Sequence, residues 1–228
     1  MARKLRIDVP DAVYHVFSRA PNKSPLFRDD EDRELFLRYL KRAQNRHPLG
    51  CLGYSLMTTH YHLQVKTLKS PLARTMHHLN TLYAGHFNYR YKSVGHVFQG
   101  RFHSVPVQVD SYLLNLSRYI HLNAVAAGMV SKPEEHLWSS YRDYLGMTST
   151  GLVQVDLVLN TLSDNKERQR LTYQKFVEDQ IHRTPQFSED IIWKARVFGN
   201  AAFVERLALQ CPSAFPARQD NREAANQF

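Results

Sequence analysis

The chain has 228 residues, 43% hydrophobic and 22% charged, which suits one sizeable domain with at most a small appendage. No run approaches the ~18 apolar residues of a membrane span, and the basic residues near Met1 lead into no apolar stretch of the kind a secretory signal needs. Cys51 and Cys211 lie too far apart to suggest a disulfide framework, which predicts a reducing cytoplasm, and the net charge of +9 predicts a polyanionic partner.

Val13-Tyr14-His15-Val16-Phe17 alternates and is rich in β-formers, so it predicts a first strand. Pro21, Asn22, Ser24 and Pro25 mark a loop. Asp29, Asp30, Glu31 and Asp32 place acids where a helix N-terminus favours them. Leu35, Phe36, Tyr39, Leu40 and Ala43 follow at helical spacing, and Pro48 and Gly50 close the element. Residues 51–57 and 60–67 predict two antiparallel strands joined by Thr58-Thr59. In the second strand Tyr61, Leu63 and Val65 share one face, and His60, His62, Gln64 and Lys66 share the other. That pattern predicts a sheet with helices on one face and the other face open.

Ser70-Pro71 opens a long helix whose buried stripe is Leu72, Met76, Leu79, Tyr83 and Phe87. Residues 97–107 predict another strand region, interrupted by Gly100 and ending near Pro106. Asp110 is the expected N-cap of the next helix and Gly128 its stop. On that helix Leu113, Leu116, Ile120, Ala124 and Ala127 form the core stripe. Tyr112, Asn115, Tyr119 and Asn123 form a second stripe, so Tyr119 lies off the core. Residues 147–151 read as a linker and 152–209 as several short helices, including 166–180 and 201–209; the last stretch, 212–228, is expected to fray.

Two histidines two apart on a strand have Cα atoms about 6.6 Å apart on one face, so His60 and His62 can converge on one ion. Two imidazoles leave positions open for oxygen ligands, which suits Mg2+ or Mn2+ in phosphoryl chemistry. Zinc stays chemically possible, although no cysteine lies near enough in sequence for a closed structural site, and a pair of ordinary surface histidines is the plain alternative. Phenol, with a pKa of about 10, is a poor nucleophile at neutral pH. A metal on the scissile phosphate compensates by neutralising its oxygens and fixing in-line attack. Tyr119 is the candidate nucleophile, and Asn123, one turn on, can offer its amide oxygen as a third ligand. Tyr112 is the rival nucleophile, but its i+4 residue is Leu116.

Residues 51–130 hold seven Lys/Arg, a single acid and eight of the twelve histidines, so the positive charge is concentrated as an electrostatic footprint. Arg19, Lys66, Arg90, Lys92, Arg101, His103 and Arg118 are the candidate phosphate contacts, and Tyr89, Tyr91 and Phe102 the candidate base-stacking rings.

His60-Tyr61-His62 resembles the HUH motif, and Tyr119-Ile120-His121-Leu122-Asn123 resembles the single-tyrosine helix of small single-strand DNA transposases. Tyr14-His15-Val16 with Ser18-Arg19, the run Gly95-His96-Val97-Phe98-Gln99-Gly100-Arg101-Phe102, and Trp138-Ser139-Ser140-Tyr141 extend the likeness to the REP-associated tyrosine transposases over about residues 8–146. The resemblance implies an α+β fold, a ferredoxin-like or RRM-like palm with a central antiparallel sheet and packed helices in residues 1–146. Residues 147–228 are then a small all-helical C-terminal appendage. It implies cleavage of single-stranded DNA beside a REP-like hairpin through a 5′-phosphotyrosine, with Tyr119 as nucleophile and His60, His62 and Asn123 as metal ligands. A monomer or a homodimer fits. Thr58-Thr59 stand where the family often has Pro-Asn, Gln64 replaces a commoner apolar residue, and Ala124 and Ala126 replace a usual Pro and a frequent basic residue. A non-catalytic hairpin-binding or regulatory protein and an RNA-binding module are the rival readings. The four chemically competent residues argue against both.

Overall fold

Alternating β-formers pair as expected: β1 (Val13–Arg19), β2 (Leu49–Leu56), β3 (His60–Thr67) and β4 (His103–Val107) form one antiparallel sheet in the order β2-β3-β1-β4. The protein is seen here in a computed structural model that describes residues 5–109, 111–181 and 189–215. The β2–β3 hairpin turns at Thr58-Thr59, whose carbonyls accept from Leu26 and Ala20. The strand expected over 97–107 shortens to β4. Residues 97–102 instead run as a loop, tied to β1 where the Gln99 amide donates to the Arg19 carbonyl (2.9 Å). Pro106 is tolerated in β4 because this is an edge strand. Outside that edge the Phe198 amide donates to the Pro106 carbonyl and the Gln108 amide to the Phe198 carbonyl, both at 2.8 Å.

One sheet face carries α1 (Asp30–Arg46) and α2 (Leu72–Tyr91). Asp29 caps α1 by accepting from the Asp32 amide, and Phe36, Leu40 and Ala43 are buried beneath it. The whole expected stripe of α2 is buried, with Pro71 as its cap residue. These helices enclose Tyr14, Val16, Tyr61, Leu63 and Val65 from the strands. The tyrosine hydroxyls buried there find partners: Tyr14 bonds Val9, Tyr61 donates to Asn80, and Tyr83 donates to the Leu26 carbonyl.

The opposite face is not open, and this corrects the expectation drawn from β3. α3 (Ser111–Ala126) lies across it, supported by α4 (Tyr141–Tyr144), α5 (Asp156–Leu159), α6 (Lys166–Glu178) and α7 (Glu189–Lys194). Val13, Phe17 and Leu52 share one core with Leu113, Leu116 and Ile120 of α3 and with Tyr173, Val177, Ile192 and Phe198. The reason lies in β1, whose Val13 and Phe17 on this side are apolar and demand cover. Helices α5, α6 and α7, all beyond residue 147, therefore pack into the same layer as α3. α8 (Ala201–Gln210) joins a smaller cluster with Ile7 and Val9. Of the core stripe expected for α3, Leu113, Leu116, Ile120 and Ala124 are buried, whereas Ala127 is exposed just before Gly128, whose φ of +67° ends the helix. Asp110, the expected N-cap, lies outside the described residues.

Candidate active site

Period-2 geometry in β3 turns His60, His62 and Gln64 toward α3. The His60 and His62 rings have centroids 4.9 Å apart and stand nearly perpendicular, at 87°. His60 is half-buried and His62 is buried. Tyr119, half-buried on the second stripe of α3, brings its ring to 5.5 Å from His62 at 85°. The two segments, about sixty residues apart in sequence, meet.

A third imidazole completes this arrangement. His15, in the middle of β1, places Nε2 at 2.9 Å from His62 Nδ1, with its own ring 6.1 Å from that of Tyr119. Burial pushes the His15 pKa down to about 3. Burial, reinforced by His60 and His15, holds His62 well below the ordinary value. Both rings are therefore neutral, and a single proton lies between them. When His62 Nδ1–H donates to His15 Nε2, the lone pair of His62 is left on Nε2. That atom is buried and has no hydrogen-bond partner among the described residues.

A buried ring nitrogen left unpaired costs about 1–3 kcal/mol unless something meets it. A cation is the partner that a neutral imidazole with its other N–H engaged is built to take. The residues present thus fit the implied divalent ion. Among the described residues no three His, Cys, Asp or Glu are placed to hold a metal ion together, so an ion on this pair would draw its other ligands from other oxygen donors. Asn123 donates its amide nitrogen to the Tyr119 carbonyl at 3.0 Å, which leaves its amide oxygen for such a role. Thr59 Oγ1 lies 3.0 Å from His60 Nδ1, so the unusual Thr in the turn orients the first histidine.

The helix bearing Tyr119 is held at several points. His121 is fully buried, with Nδ1 at 2.7 Å from the Tyr173 hydroxyl of α6 and Nε2 at 2.8 Å from Ser140 Oγ. Ser117 Oγ bonds the same Tyr173 hydroxyl. Gln64 donates to the Leu113 carbonyl at 2.9 Å, joining β3 to α3, while its amide oxygen stays buried and unpartnered among the described residues.

The expected phosphate contacts divide. Arg19 stands opposite His60 in register, donates to Gln99 Oε1 at 2.5 Å and lies 4.1 Å above the Trp193 ring. His103 stacks on Phe17 with centroids 5.1 Å apart and meets Trp193 edge-on at 4.7 Å. Arg101 and Lys92 are exposed, Lys66 is half-buried on β3, and Arg118 sits 4.1 Å above Phe176 while donating to Asn115 Oδ1. Arg90 is engaged elsewhere: its guanidinium contacts Asp29, Glu31 and Asp32 at 2.8, 2.8 and 2.6 Å. The acidic start of α1 packs beside the end of α2, a pairing across sixty residues that local sequence does not display. Of the candidate stacking rings, Phe102 is buried beneath Arg6 (3.8 Å) and Tyr91 donates to Asp32, so only Tyr89 is well exposed.

His15 and Trp193 were not legible as site residues. His15 occupies an ordinary alternating position in β1, and Trp193 lies in a segment with no periodic signal of its own.

The family model described as "Transposase IS200 like" matches residues 8–123, just over half of the chain. The chain belongs to the IS200-like transposase family. His15, His60, His62, Tyr119 and Asn123 of this IS200-like member all fall within the matched segment, whereas Tyr173 and Trp193 fall beyond it. No curated protein matches the chain. Among solved structures it is similar to a REP-associated tyrosine transposase bound to a REP hairpin, with 14% identity and a TM-score of 0.56, covering 68% of this chain and 90% of that one. At that identity the likeness establishes the fold. No helix among the described residues of this IS200-like protein is long and apolar enough to cross a membrane.

Proposed function

We propose that this protein is a metal-dependent single-stranded DNA endonuclease and strand transferase that cuts beside hairpins through a 5′-phosphotyrosine intermediate. One observation carries the reading: the Tyr119 ring lies 5.5 Å from His62, whose buried Nε2 has no partner among the described residues.

The Tyr119 oxygen attacks phosphorus, a new oxygen–phosphorus bond forms, the bond from phosphorus to the 3′ oxygen breaks, and the proton lost by the phenol is balanced by the one that the departing 3′ oxygen takes up through solvent. The products are a phosphotyrosine and a strand with a free 3′-OH. One phosphodiester is exchanged for another, so an incoming 3′-OH can reverse the step and join strands. A divalent ion such as Mg2+ or Mn2+, held by His60 and His62 with Asn123 as third ligand, supplies charge neutralisation at the phosphate. His15 keeps the proton of His62 on Nδ1, and the bonds from Tyr173 and Ser140 to His121 hold the helix that presents the phenol.

Arg19, Lys66, Lys92, Arg101, His103 and Arg118 position the strand through its phosphates, and Arg90 is left out of this set. Two adjoining cavities, of about 620 and 1000 Å3, share Arg6, Gln99, Gly100, Arg101 and Phe102, and neither is lined by an Asp or Glu. An acid-free surface of this extent suits DNA. The hairpin itself is inferred from the REP hairpin bound by the similar solved protein. Because Tyr119 and the histidine pair come from one chain, a monomer is sufficient for the chemistry, and a cytoplasmic enzyme remains our reading.

The test incubates the protein with labelled hairpin DNA and Mn2+ and looks for a denaturant-resistant adduct. The adduct forms with the native chain and disappears in Tyr119→Phe, while hairpin affinity stays nearly unchanged. Loss of affinity together with cleavage would assign the phenol to binding and favour the non-catalytic alternative.

A further inference from the structure

We propose that the cavity at the ends of β1 and β4 is a channel for the single-stranded DNA that continues from the cleavage site, and that α7 and the residues after it supply part of its phosphate-binding wall. This rests on the reading above and adds a segment to it, since residues 193–196 lie beyond the family match at 8–123.

The cavity has a volume of about 620 Å3, and Arg6, Arg19, Arg101, Lys194 and Arg196 line it together with Trp193. Among the described residues none of these five cations forms an ion pair with a carboxylate, in contrast to Arg90. Three of the five are held by neutral groups. Arg6 donates to the Phe102 carbonyl (2.8 Å), Arg196 to the Ala214 carbonyl (2.6 Å), and Arg19 is oriented by Gln99 and by the Trp193 ring; Arg101 and Lys194 are exposed. The unbalanced charge is felt by its neighbours. Burial and then Arg101 push the Arg6 pKa down, with Asp8 acting the other way. Burial, Arg19, Arg6 and Arg101 all disfavour the proton on His103.

A cluster of cations without acids calls for an anion, and forked guanidiniums match phosphate oxygens. The location selects the source of that anion. Arg19 is the register partner of His60, so the channel begins one strand away from the metal-binding pair. A strand held at Tyr119 therefore meets this wall when it extends past β1. Trp193 acts as a positioning residue, since its ring fixes the guanidinium nearest to the site.

The test measures binding of two labelled DNAs across a salt series: a hairpin with a single-stranded flank and the same hairpin trimmed flush. In Lys194→Ala the slope of log affinity against log salt for the flanked DNA falls by about 0.7, the value for one lost phosphate contact on a single strand. The flush hairpin keeps its slope, and Lys194→Glu weakens flanked DNA further. Identical slopes for native and variant chains on flanked DNA, with cleavage intact, overturn the channel and leave the proposed function standing. A flanked RNA held more tightly than the DNA overturns the assignment of the strand. Failure of the native chain to bind or cut either DNA overturns the function itself.

Discussion

Both faces of the sheet are covered by helices, yet they are built differently. Under α1 and α2 the strands contribute Tyr14, Val16, Tyr61, Leu63 and Val65, and the phenolic hydroxyls among them are hydrogen-bonded. Under α3 the same two strands contribute His15, His62 and Gln64, which leave His15 Nδ1, His62 Nε2 and Gln64 Oε1 buried and unpartnered among the described residues. A folded chain meets nearly all of its buried polar groups, so this shortfall needs a cause. The first face is a core. On the second, unmet polarity rather than exposure marks where, under the proposed function, a cation and a phosphate would be received, and the two Arg residues repeat the contrast. Arg90 is neutralised by three carboxylates and stabilises the α1–α2 layer, whereas Arg19 rests on Trp193 with no carboxylate partner among the described residues.

The comparison breaks first at the histidines. His62→Ala removes the unmet nitrogen and is expected to abolish adduct formation and metal binding together, as read by Mn2+ titration calorimetry and by gel. His15→Phe keeps the ring volume but no longer holds the proton of His62 on Nδ1. Removing such a supporting bond costs roughly 10–100-fold in metal affinity or activity. An unchanged Mn2+ isotherm in His15→Phe would show that the tautomer is set by something else.

A smaller effect concerns the helix that carries the phenol. Tyr173→Phe leaves His121 Nδ1 and Ser117 Oγ without their shared partner. Stranding one such buried group costs about 1–3 kcal/mol, and each kcal/mol lowers the melting temperature of a chain this size by roughly 2–4 °C. Calorimetric melting checks this, and adduct formation should fall more than DNA affinity, because α3 presents the nucleophile.

The smallest effect separates the two arginines. Arg90→Ala should lower thermal stability while leaving the salt dependence of DNA binding unchanged. Hydrogen bonding to Arg90 holds the Asp29 carboxyl below its ordinary value of 3.8. A depressed carboxyl contributes stability above its unfolded pKa and loses it as the pH falls through the folded one. The gap in melting temperature between native and variant chains should thus be widest near neutral pH and close below about pH 4. A changed salt slope would return Arg90 to the DNA surface.

Much of this was legible where the signal is local. The 3.6-residue spacing of Leu72, Met76, Leu79, Tyr83 and Phe87 marked the buried stripe of α2, and alternation in β3 put His60 and His62 on one face. Tyr119 stood out because it falls off the stripe of Leu113, Leu116 and Ile120. What could not be read depends on contacts distant in sequence. His15 looks like any alternating residue until β1 pairs with β3. The cover over the histidine face follows from Val13 and Phe17 meeting α3 and from Tyr173 and Phe198 arriving from the far end of the chain. Arg90 appeared available for phosphate until α1 brought Asp29, Glu31 and Asp32 beside it. Gly100 marked an interruption in the strand region expected over 97–107, but only the bond from Gln99 to Arg19 shows what that loop does.

The most direct measurement digests the covalent DNA–protein adduct formed with Mn2+ and locates the nucleotide-bearing residue by mass spectrometry. The account predicts a nucleotide 5′-phosphate on Tyr119 and on no other residue. A nucleotide on Tyr112, or tight hairpin binding with no adduct under any divalent ion, would contradict it.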